Sequence, residues 1–314
     1  MATFRRLPTL TQLRHLLAVA EHGHFGRAAQ ACFITQSSLS ASIKELEATL
    51  GHILIERTRR TVMITPLGRE TIHRVRQVLR DVEEIADLVS TASSPLSGQL
   101  RLGVIPTIAP FLLPRVLPTL RQAYPDLQLY LNEKQSAALL DDLADGQLDL
   151  LLLAFPYPSE GLKIHLFADD PLWVAYPKGH WPAEKERLTG HDLNAENLLL
   201  LSEGHCLRDH ALGACGLGRK HQSTEFQGSS LHTLVQMVDN GLGLTLLPKM
   251  AIDAGIARAT QVQLRPMDDT APSRHIGFAW RPSSPREPEF TLLAEFFRDE
   301  LATPLLPRQK SSTS

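Results

Sequence analysis

The pattern of apolar and polar positions predicts a series of short helices over residues 8–60. Apolar residues recur three or four positions apart in this stretch, as they do on one face of an α-helix. Gly23 and Gly26 interrupt the pattern, Thr35 has the residue type of an N-cap, and Gly51 ends the last helix. The positions expected to face a common core are Leu13, Leu16, Leu17, Ala20, Ala28, Ala29, Cys32, Phe33, Leu39, Ile43, Leu46 and Leu50.

Two further elements follow before residue 91. β-Branched residues alternate with other residues around Arg57–Thr61, which predicts a small β-hairpin, or wing. Residues 67–90 then form a longer helical pattern, whose single narrow apolar stripe favours self-association through a coiled-coil-like seam. Packing of this helix on its own domain is the alternative. The stripe consists of Ile72, Val75, Val78, Val82, Ile85 and Val89.

The rest of the chain alternates between strand-like and helical patterns. Residues 91–98 combine Ser, Pro and Gly without periodicity, which predicts a hinge. Beyond it, the alternation of strands and helices predicts α/β units with mostly parallel sheets. Helices are expected to begin near residues 109 and 136. The expected strands cover 99–105, 127–133, 148–155, 172–176, 197–201, 243–247 and 276–280.

Composition adds one asymmetry to this picture. A chain of 314 residues is long enough for two or three domains, and 43% hydrophobic with 21% charged residues is typical of a soluble globular protein. The formal net charge of -2 indicates no anionic partner. Residues 1–76, however, hold 11 Lys and Arg against 5 Asp and Glu. This charge distribution indicates that the front of the chain alone binds an anion.

Composition also argues against several classes of protein. No apolar run is long enough to span a membrane, so no membrane partner is expected. The first residues lack an apolar signal core, so secretion is not expected. The 3 cysteines are too few for a disulfide framework, which favours a reducing cytoplasm where cysteine pairing would be regulatory. No His, Cys and carboxylate set has metal-ligand spacing, so neither a metal nor another cofactor is expected.

Two short helices, a tight connection and a basic wing predict a winged helix-turn-helix. Its second helix would lie in the major groove of double-stranded DNA, where Gln can pair with adenine and Ser can reach a base or a phosphate. The wing arginines would contact phosphate or a minor groove. A helical bundle with a solvated polar face is the alternative, but it leaves the local charge unexplained. The expected DNA-binding residues are Arg27, Thr35, Gln36, Ser37, Ser38, Ser40, Lys44, Arg57, Arg59 and Arg60.

This segment resembles a known family. Its motifs FGRAAQ (25–30), TQSSLSASIKELEATLG (35–51), ERTRR (56–60) and ITPLG (64–68) are similar to the N-terminal domain of LysR-type transcriptional regulators, and the resemblance extends over nearly the whole chain. Ser37 departs from the family pattern, which often has proline there. The resemblance implies an N-terminal all-α winged helix-turn-helix, a long linker helix and a C-terminal α/β regulatory domain of two subdomains like those of periplasmic binding proteins.

The family's organisation also implies boundaries and partners. It implies a homotetramer, dimerised through linker helices, that binds promoter DNA at two half-sites, is associated with the nucleoid and contacts RNA polymerase. The implied parts are a DNA-binding domain (1–66), the linker helix (67–90), the hinge (91–98), a regulatory domain (99–303) with subdomain I at about 99–168 and 272–303 and subdomain II at about 169–271, and a polar tail (304–314).

A pair of cysteines lies in the segment SEGHCLRDHALGACG (202–216). Cys206 and Cys215 are nine residues apart, which is neither a CxxC motif nor metal-ligand spacing. Cys206 is expected at the start of a helix beside His205 and Arg208, and both a helix N-terminus and nearby cations lower the pKa of a thiol. Its thiolate would be oxidised by peroxide to a sulfenic acid, which a second thiol can capture as a disulfide. Two inert core thiols are the alternative.

The regulatory half is similar to the peroxide-sensing branch of the LysR family. The resemblance lies in GHCLRD (204–209), IPTIAPFLLP (105–114), EKQS (133–136) and RHIGFAWRP (274–282). It implies that Cys206 is the peroxidatic cysteine and Cys215 the resolving one. Ser136 stands where this branch often has Thr. The implied supporting residues are Thr107, which would hold peroxide or water, Ser136, His205, Arg208, Asp209 and Arg274, which would supply positive charge.

The resemblance implies a mechanism in which the disulfide remodels residues 205–216, changes the tetramer's geometry on DNA and activates antioxidant genes. A glutaredoxin or thioredoxin would reduce it again. Two other classes stay open: a LysR-type regulator that binds a small organic effector between the subdomains, and a thiol peroxidase or disulfide oxidoreductase. The enzyme is least favoured, because turnover needs an accessible dithiol, usually with closer spacing. Cys32 is expected to be a buried core residue.

Overall fold

The computed structural model describes most of the chain as two compact units. One contains residues 1–93 with 145–147, and the other contains 94–144 with 148–314. Among the described residues, no helix is long and apolar enough to cross a membrane. The described residues are 7–57, 62–91, 95–180, 186–193, 197–216, 227–268 and 273–302.

The first unit contains the predicted short helices, the hairpin and the long helix. The hairpin strands pair antiparallel, with Ile55 opposite Ile64, which confirms the predicted wing. One hydrophobic cluster joins the helices, and Leu16, Leu39 and Ile43 are fully buried in it. The elements are α1 (Leu10–His22), α2 (Phe25–Ala31), α3 (Gln36–Leu50), β1 (Ile55–Arg57), β2 (Val62–Ile64) and α4 (Pro66–Thr91).

Local hydrogen bonds fix where these helices begin and end. The Thr35 hydroxyl accepts from the Ser38 N–H and caps α3, as the sequence predicts. His24 caps α2 through Nδ1, which accepts from the N–H groups of Gly26 and Arg27. Gly51 adopts φ 76°, and this left-handed conformation ends α3 at low steric cost.

The turn between α2 and α3 differs from the prediction. Phe33 adopts φ 56° and leaves its ring 96% exposed, so it does not belong to the apolar face expected for Ala28 and Ala29. Cys32 is the C-cap of α2 and is only half-buried, so its assignment as a buried core residue was wrong. The left-handed backbone at residue 33 turns the side chain away from the helix face, which the periodicity could not indicate.

The wing is attached to α3 and α4 by side-chain hydrogen bonds. Glu47 Oε1 accepts from the N–H groups of Leu54 and Ile55, at 2.9 and 3.0 Å. The Thr65 hydroxyl donates to the Leu54 carbonyl and accepts from the Gly68 N–H at the start of α4. A Cβ at Gly68 would approach the Leu54 oxygen to 2.2 Å, so this close contact requires glycine.

The apolar stripe of α4 divides into two parts. Ile72 and Val75 are buried in the hydrophobic cluster of the first unit, so this part packs on its own domain. Val78 and Ile85 are 43% and 63% exposed in the single chain. The intramolecular alternative therefore holds for the first part of the helix, while apolar surface stays open further along it.

The second unit contains α/β structure built on two main sheets. The five-stranded sheet has the order β4-β3-β5-β12-β6, and the three-stranded sheet has the order β10-β7-β11. Its elements are β3 (Gly98–Val104), α5 (Ala109–Ala123), β4 (Leu127–Glu133), α6 (Ser136–Ala144), β5 (Leu150–Phe155), β6 (Lys163–Asp170), β7 (Leu172–Tyr176), α7 (Gly190–Leu193), β8 (Leu200–Leu201), α8 (Cys206–Ala214), β9 (Gln227–Gly228), α9 (Leu231–Asp239), β10 (Thr245–Pro248), α10 (Lys249–Asp253), β11 (Gln263–Pro266), β12 (Arg274–Trp280) and α11 (Glu287–Ala302).

The expectation of mostly parallel sheets was wrong. β3 pairs parallel with β4 and β5, but β12 pairs antiparallel with β5 and β6, and β7 pairs antiparallel with β10 and β11. The prediction also missed β6, β9 and β11. β6 and β12 belong to the first sheet, whereas the chain between them builds the second, so these strands mark where the chain leaves one sheet and returns.

Two hydrophobic clusters fill the second unit. One surrounds the five-stranded sheet and includes Cys206, while the other surrounds the three-stranded sheet and includes Cys215. The helix α8 therefore connects the two cores, with one cysteine in each. Both sulfurs are free thiols.

Substituting Phe33 by Asn is expected to stabilise the first unit. Asn tolerates the left-handed backbone that an aromatic residue adopts only with strain, so the unfolding free energy should rise by on the order of 1 kcal/mol. Hydrogen exchange of amides in residues 7–57 during urea titration of the full chain measures this change. Phe33→Leu is the matched control and should leave stability unchanged. A loss of stability in Phe33→Asn would show that the ring makes a stabilising contact.

Candidate thiol site and nucleic-acid interface

The first turn of α3 presents a polar surface. Gln36, Ser37 and Ser38 are exposed, Lys44 is exposed further along, and Ser40 is half-buried. The hydroxyls of Ser37 and Ser38 each hydrogen-bond to Thr35 Oγ1, at 2.9 and 2.8 Å. The side chain of Gln36 makes no hydrogen bond among the described residues, so its amide is available to an outside partner.

The remaining predicted DNA contacts are distributed around this turn. Arg27 is exposed on α2, where its guanidinium donates to the His22 carbonyl at 2.8 Å. Arg59, Arg60 and the side chain of Arg57 lie outside the described residues. The described part of the surface is a helix start with the Gln36 amide and exposed serine hydroxyls, which suits contact with base edges and phosphates.

Cys206 is the first residue of α8 and is only 3% exposed. His205 is the N-cap and extended, but its side chain makes no capping hydrogen bond. The sulfur therefore lies at the end of a helix where free N–H groups and the helix dipole favour a negative charge. The apolar residues around the sulfur, in the core of the five-stranded sheet, disfavour a negative charge.

A buried arginine dominates the polar part of this site. Arg274, the first residue of β12, is completely buried. Its Nε and Nη2 donate to Asp170 Oδ2 at 2.9 and 2.7 Å, and its Nη1 donates to Thr107 Oγ1 at 3.0 Å. Nη2 also donates to the Thr107 carbonyl at 3.1 Å. Because Thr107 Oγ1 accepts the bond from Nη1, the hydrogen of this hydroxyl is left to donate elsewhere.

The electrostatic effects on Cys206 oppose one another. Burial raises the pKa of the Cys206 thiol, and the Arg274 charge and the Ser136 hydroxyl lower it by less. Ser136 is 1% exposed at the start of α6. Its Oγ is buried near the sulfur, and among the described residues it makes no hydrogen bond of normal distance and angle. The resting site therefore holds a thiol with a free hydroxyl beside it.

The neighbours of Cys206 in sequence do not act as predicted. Arg208 is buried and donates to the Leu201 carbonyl at 3.2 Å. Burial lowers the pKa of His205, so its imidazole carries no charge at neutral pH. Asp209 raises the pKa of Cys206. The expectation that adjacent cations give a low thiol pKa was therefore wrong, and Arg274 provides the favourable charge from a distant strand.

Cys215 forms the other end of α8. It is the C-cap, is 2% exposed, and burial raises its pKa to about 11. Gly190 on α7 packs against this turn so closely that a Cβ would lie 2.7 Å from the Ala214 oxygen. Nine residues of helix at a rise of about 1.5 Å separate the two cysteines by about 13 Å.

Asp170 is the site residue that the sequence prediction missed. It is the last residue of β6, which was not recognised as a strand, and its Oδ1 accepts from the Met250 N–H of α10 at 2.8 Å. Charge balance is the signal that could have found it. A buried guanidinium requires a carboxylate, and Asp169 and Asp170 stand together before Pro171.

A cavity of about 520 Å³ lies between α5, α10 and the end of β6, and Asp170 also lines it. Its polar lining includes Arg115, Lys249 and Asp169. All three are already bonded, since Lys249 pairs with Asp253, Arg115 donates to the Glu300 and Leu301 carbonyls, and Asp169 pairs with His275. Within the described ranges, no His, Cys, Asp and Glu group is arranged to bind a metal ion.

Comparisons with known proteins cover both units. Residues 10–69 match the bacterial regulatory helix-turn-helix of the lysR family, and residues 93–302 match the LysR substrate binding domain. The HTH-type transcriptional regulator EstR of Acinetobacter baylyi is 40% identical over 300 residues, covering 95% of this chain and 98% of that protein.

A second relative and a solved structure are similar over comparable lengths. The hydrogen peroxide-inducible genes activator of Dickeya chrysanthemi is 40% identical over 293 residues, covering 93% of this chain and 95% of that protein. A full-length OxyR variant from Pseudomonas aeruginosa is 35% identical with a TM-score of 0.78, covering 93% and 95% of the two chains. The chain therefore belongs to the LysR family of bacterial transcriptional regulators and is not an enzyme.

Proposed function

We propose that this regulator senses hydrogen peroxide through Cys206 and binds promoter DNA through α3 and the wing. The observation that carries the proposal is the placement of a thiol at a helix start beside the Thr107–Arg274 pair and the free Ser136 hydroxyl. These groups offer hydrogen bonds to a small, polar, uncharged oxidant. The similarity to a peroxide-inducible activator supports the assignment.

The chemistry follows from this arrangement. The Cys206 thiolate attacks one peroxide oxygen, the O–O bond breaks, and the departing oxygen leaves with a proton as water. The hydroxyls of Thr107 and Ser136 hold the peroxide oxygens, while the buried Arg274 charge stabilises the developing negative charge. His205, Arg208 and Asp209 shape the first turn of α8 around the sulfur. The product is a sulfenic acid on Cys206.

The second step is a disulfide with Cys215. Bridged cysteines have Cα atoms about 4.4–6.8 Å apart, about a third to a half of the length of the intervening helix. α8 must therefore unwind before the sulfurs meet. Unwinding also takes Cys215 out of its apolar surroundings, which removes the cause of its high pKa. Its sulfur then attacks the sulfenic sulfur and water leaves, and a cellular dithiol such as glutaredoxin or thioredoxin restores the thiols.

The DNA-binding state is proposed to be a tetramer. The exposed apolar side chains of Val78 and Ile85 on α4 suit a helix that pairs with a second copy. Remodelling of α8 would change the assembly and so its contacts at two half-sites, which activates transcription by RNA polymerase. Such a regulator works in a reducing cytoplasm, in association with the nucleoid.

Replacing Cys206 by Ser is expected to abolish the transcriptional response to peroxide, because no sulfur remains to be oxidised at the site. Cys215→Ser should still accumulate oxidised Cys206, since only the second step is lost. Peptide mass spectrometry after brief peroxide exposure and a promoter-reporter assay measure both effects. Cys32→Ser is the matched control and should respond normally. A persisting response in Cys206→Ser, or unoxidised Cys206 in Cys215→Ser, contradicts the proposal.

Substituting Gly213 by Ala is expected to slow disulfide formation. A Cβ at Gly213 meets nothing within 4 Å, so the change adds helix propensity of about 1 kcal/mol without a clash. If the helix must unwind first, the bridge should form about fivefold more slowly, measured by rapid quench and thiol alkylation. In a Cys215→Ser background, Gly213→Ala should leave the oxidation of Cys206 unchanged. An unaltered rate of bridging would show that unwinding does not limit it.

A small organic effector is the second candidate signal. The cavity beside α5 and α10 favours it. The chain is also as similar to the transcriptional regulator EstR as to the peroxide-inducible activator, at 40% identity to each. Thiol titration discriminates the two candidates. One equivalent of peroxide should remove two thiols per chain if the chain is a peroxide sensor, because each turnover forms one disulfide. Nearly constant thiol content would favour the effector.

A further inference from the structure

The proposed function leaves one chemical requirement unassigned. Peroxide reacts with the thiolate, but burial raises the pKa of Cys206, so at neutral pH the sulfur carries its proton. Arg274 stabilises the thiolate, but its guanidinium is already charged and has no acceptor for a proton. A neighbouring base must therefore take the proton as the sulfur attacks.

His210 lies one helical turn after Cys206 on α8. Residues four apart share one face of a helix, and helical side chains lean toward the N-terminus. The imidazole of His210 therefore covers the turn that begins with Cys206. This placement brings a titratable ring to the side of the helix that carries the sulfur.

One hydrogen bond determines which nitrogen of His210 can act. Nε2 lies 2.8 Å from the Pro156 carbonyl oxygen. A carbonyl can only accept, so Nε2 carries the hydrogen and the neutral ring has its lone pair on Nδ1. Nδ1 is buried and has no hydrogen-bond partner among the described residues. Burial also lowers the pKa of His210, which keeps the ring neutral and able to accept a proton.

The segment that anchors His210 also reaches Cys206. Tyr157 follows Pro156, and its pKa is raised by burial and then by the negative charges of Cys206, Asp209 and Asp141. The 156–157 segment thus lies over the same part of α8. The charged groups that face His210 are Arg274 of β12, which disfavours its protonation, and Asp209 of α8, which favours it.

His205 is the competing base, since it precedes Cys206 and is also neutral. It is the N-cap and stands at the helix end with an extended backbone, outside the face shared by positions 206 and 210. No hydrogen bond among the described residues fixes its tautomer. His210 has both a fixed tautomer and a vacant acceptor.

We propose that Nδ1 of His210 accepts the thiol proton of Cys206, directly or through one water, when the sulfur attacks peroxide. This inference rests on the proposed function. The sulfur–oxygen bond forms as the O–O bond breaks, and the imidazolium returns the proton to the departing hydroxide, which leaves as water. Cys206 is oxidised to the sulfenic acid, hydrogen peroxide is reduced to water, and His210 ends neutral.

The test is the pH dependence of sulfenic acid formation in the full-length chain carrying Cys215→Ser. His210→Gln keeps an amide donor for the Pro156 carbonyl but has no basic nitrogen. Its rate at neutral pH should fall by about 100-fold. Between about pH 7 and pH 8.5 the parent rate should be nearly flat, whereas the variant rate should rise about tenfold per pH unit, following the thiolate fraction. His191→Gln, at an exposed histidine of α7, should match the parent.

A second variant distinguishes loss of the base from misfolding of the chain. His210→Ala with added imidazole should recover part of the lost rate, because the small base can occupy the vacated space. A His210→Gln rate and slope equal to those of the parent would overturn the role of His210. A lower rate with an unchanged pH slope, or no recovery with imidazole, would indicate a structural role and also overturn it. A parent chain no faster than a free thiol would instead refute the peroxide sensor.

Discussion

The buried ion pair between Arg274 and Asp170 is the interaction on which the regulatory half depends. A guanidinium with no exposure to water is tolerated only when a carboxylate and other acceptors satisfy it. Asp170 ends β6 and Arg274 begins β12, so the pair joins the two strands at which the chain passes between its sheets. Asp170 also holds the first turn of α10 through the Met250 N–H. The same bonds that hold the crossing together place a positive charge, bonded to the Thr107 hydroxyl, where it lowers the pKa of Cys206.

This arrangement is a compromise between stability and reactivity. A bare cation would lower the pKa of Cys206 strongly but would be costly to bury. Pairing with Asp170 reduces the free-energy cost of burying the cation, but it also weakens the electric field of the cation at the sulfur. The effect of burial therefore prevails, and the pKa of the thiol is raised. The site therefore keeps a protonated sulfur at rest, surrounded by a charge, a hydroxyl hydrogen on Thr107 and a free Ser136 oxygen that become useful when the charge on the sulfur develops.

The sequence predicts the elements well where local rules decide. Thr35 and Gly51 bound α3 as cap chemistry requires, and LWVAY and LQLYLNE become strands with the predicted limits. It fails where long-range structure decides. Phe33 follows the apolar pattern but takes a left-handed turn into solvent.

The candidate site divides in the same way. The motif around Cys206 was recognisable, and its placement at a helix start followed from the residues. Arg208 was expected beside the sulfur because it is near in sequence, but it is bonded to the Leu201 carbonyl instead. Asp170 was invisible because its role depends on a partner 104 positions away.

The position of α8 between two apolar cores has a thermal consequence. Drawing Cys215 and its helical neighbours out of the second core exposes apolar surface to water, and such exposure carries a large positive heat capacity. If bridge formation follows this route, its rate constant departs from simple Arrhenius behaviour, with a curvature that reports how much of the core opens. The rate at which the disulfide forms would then depend on growth temperature through the stability of the second hydrophobic core, independently of how quickly the sulfur itself reacts with the oxidant.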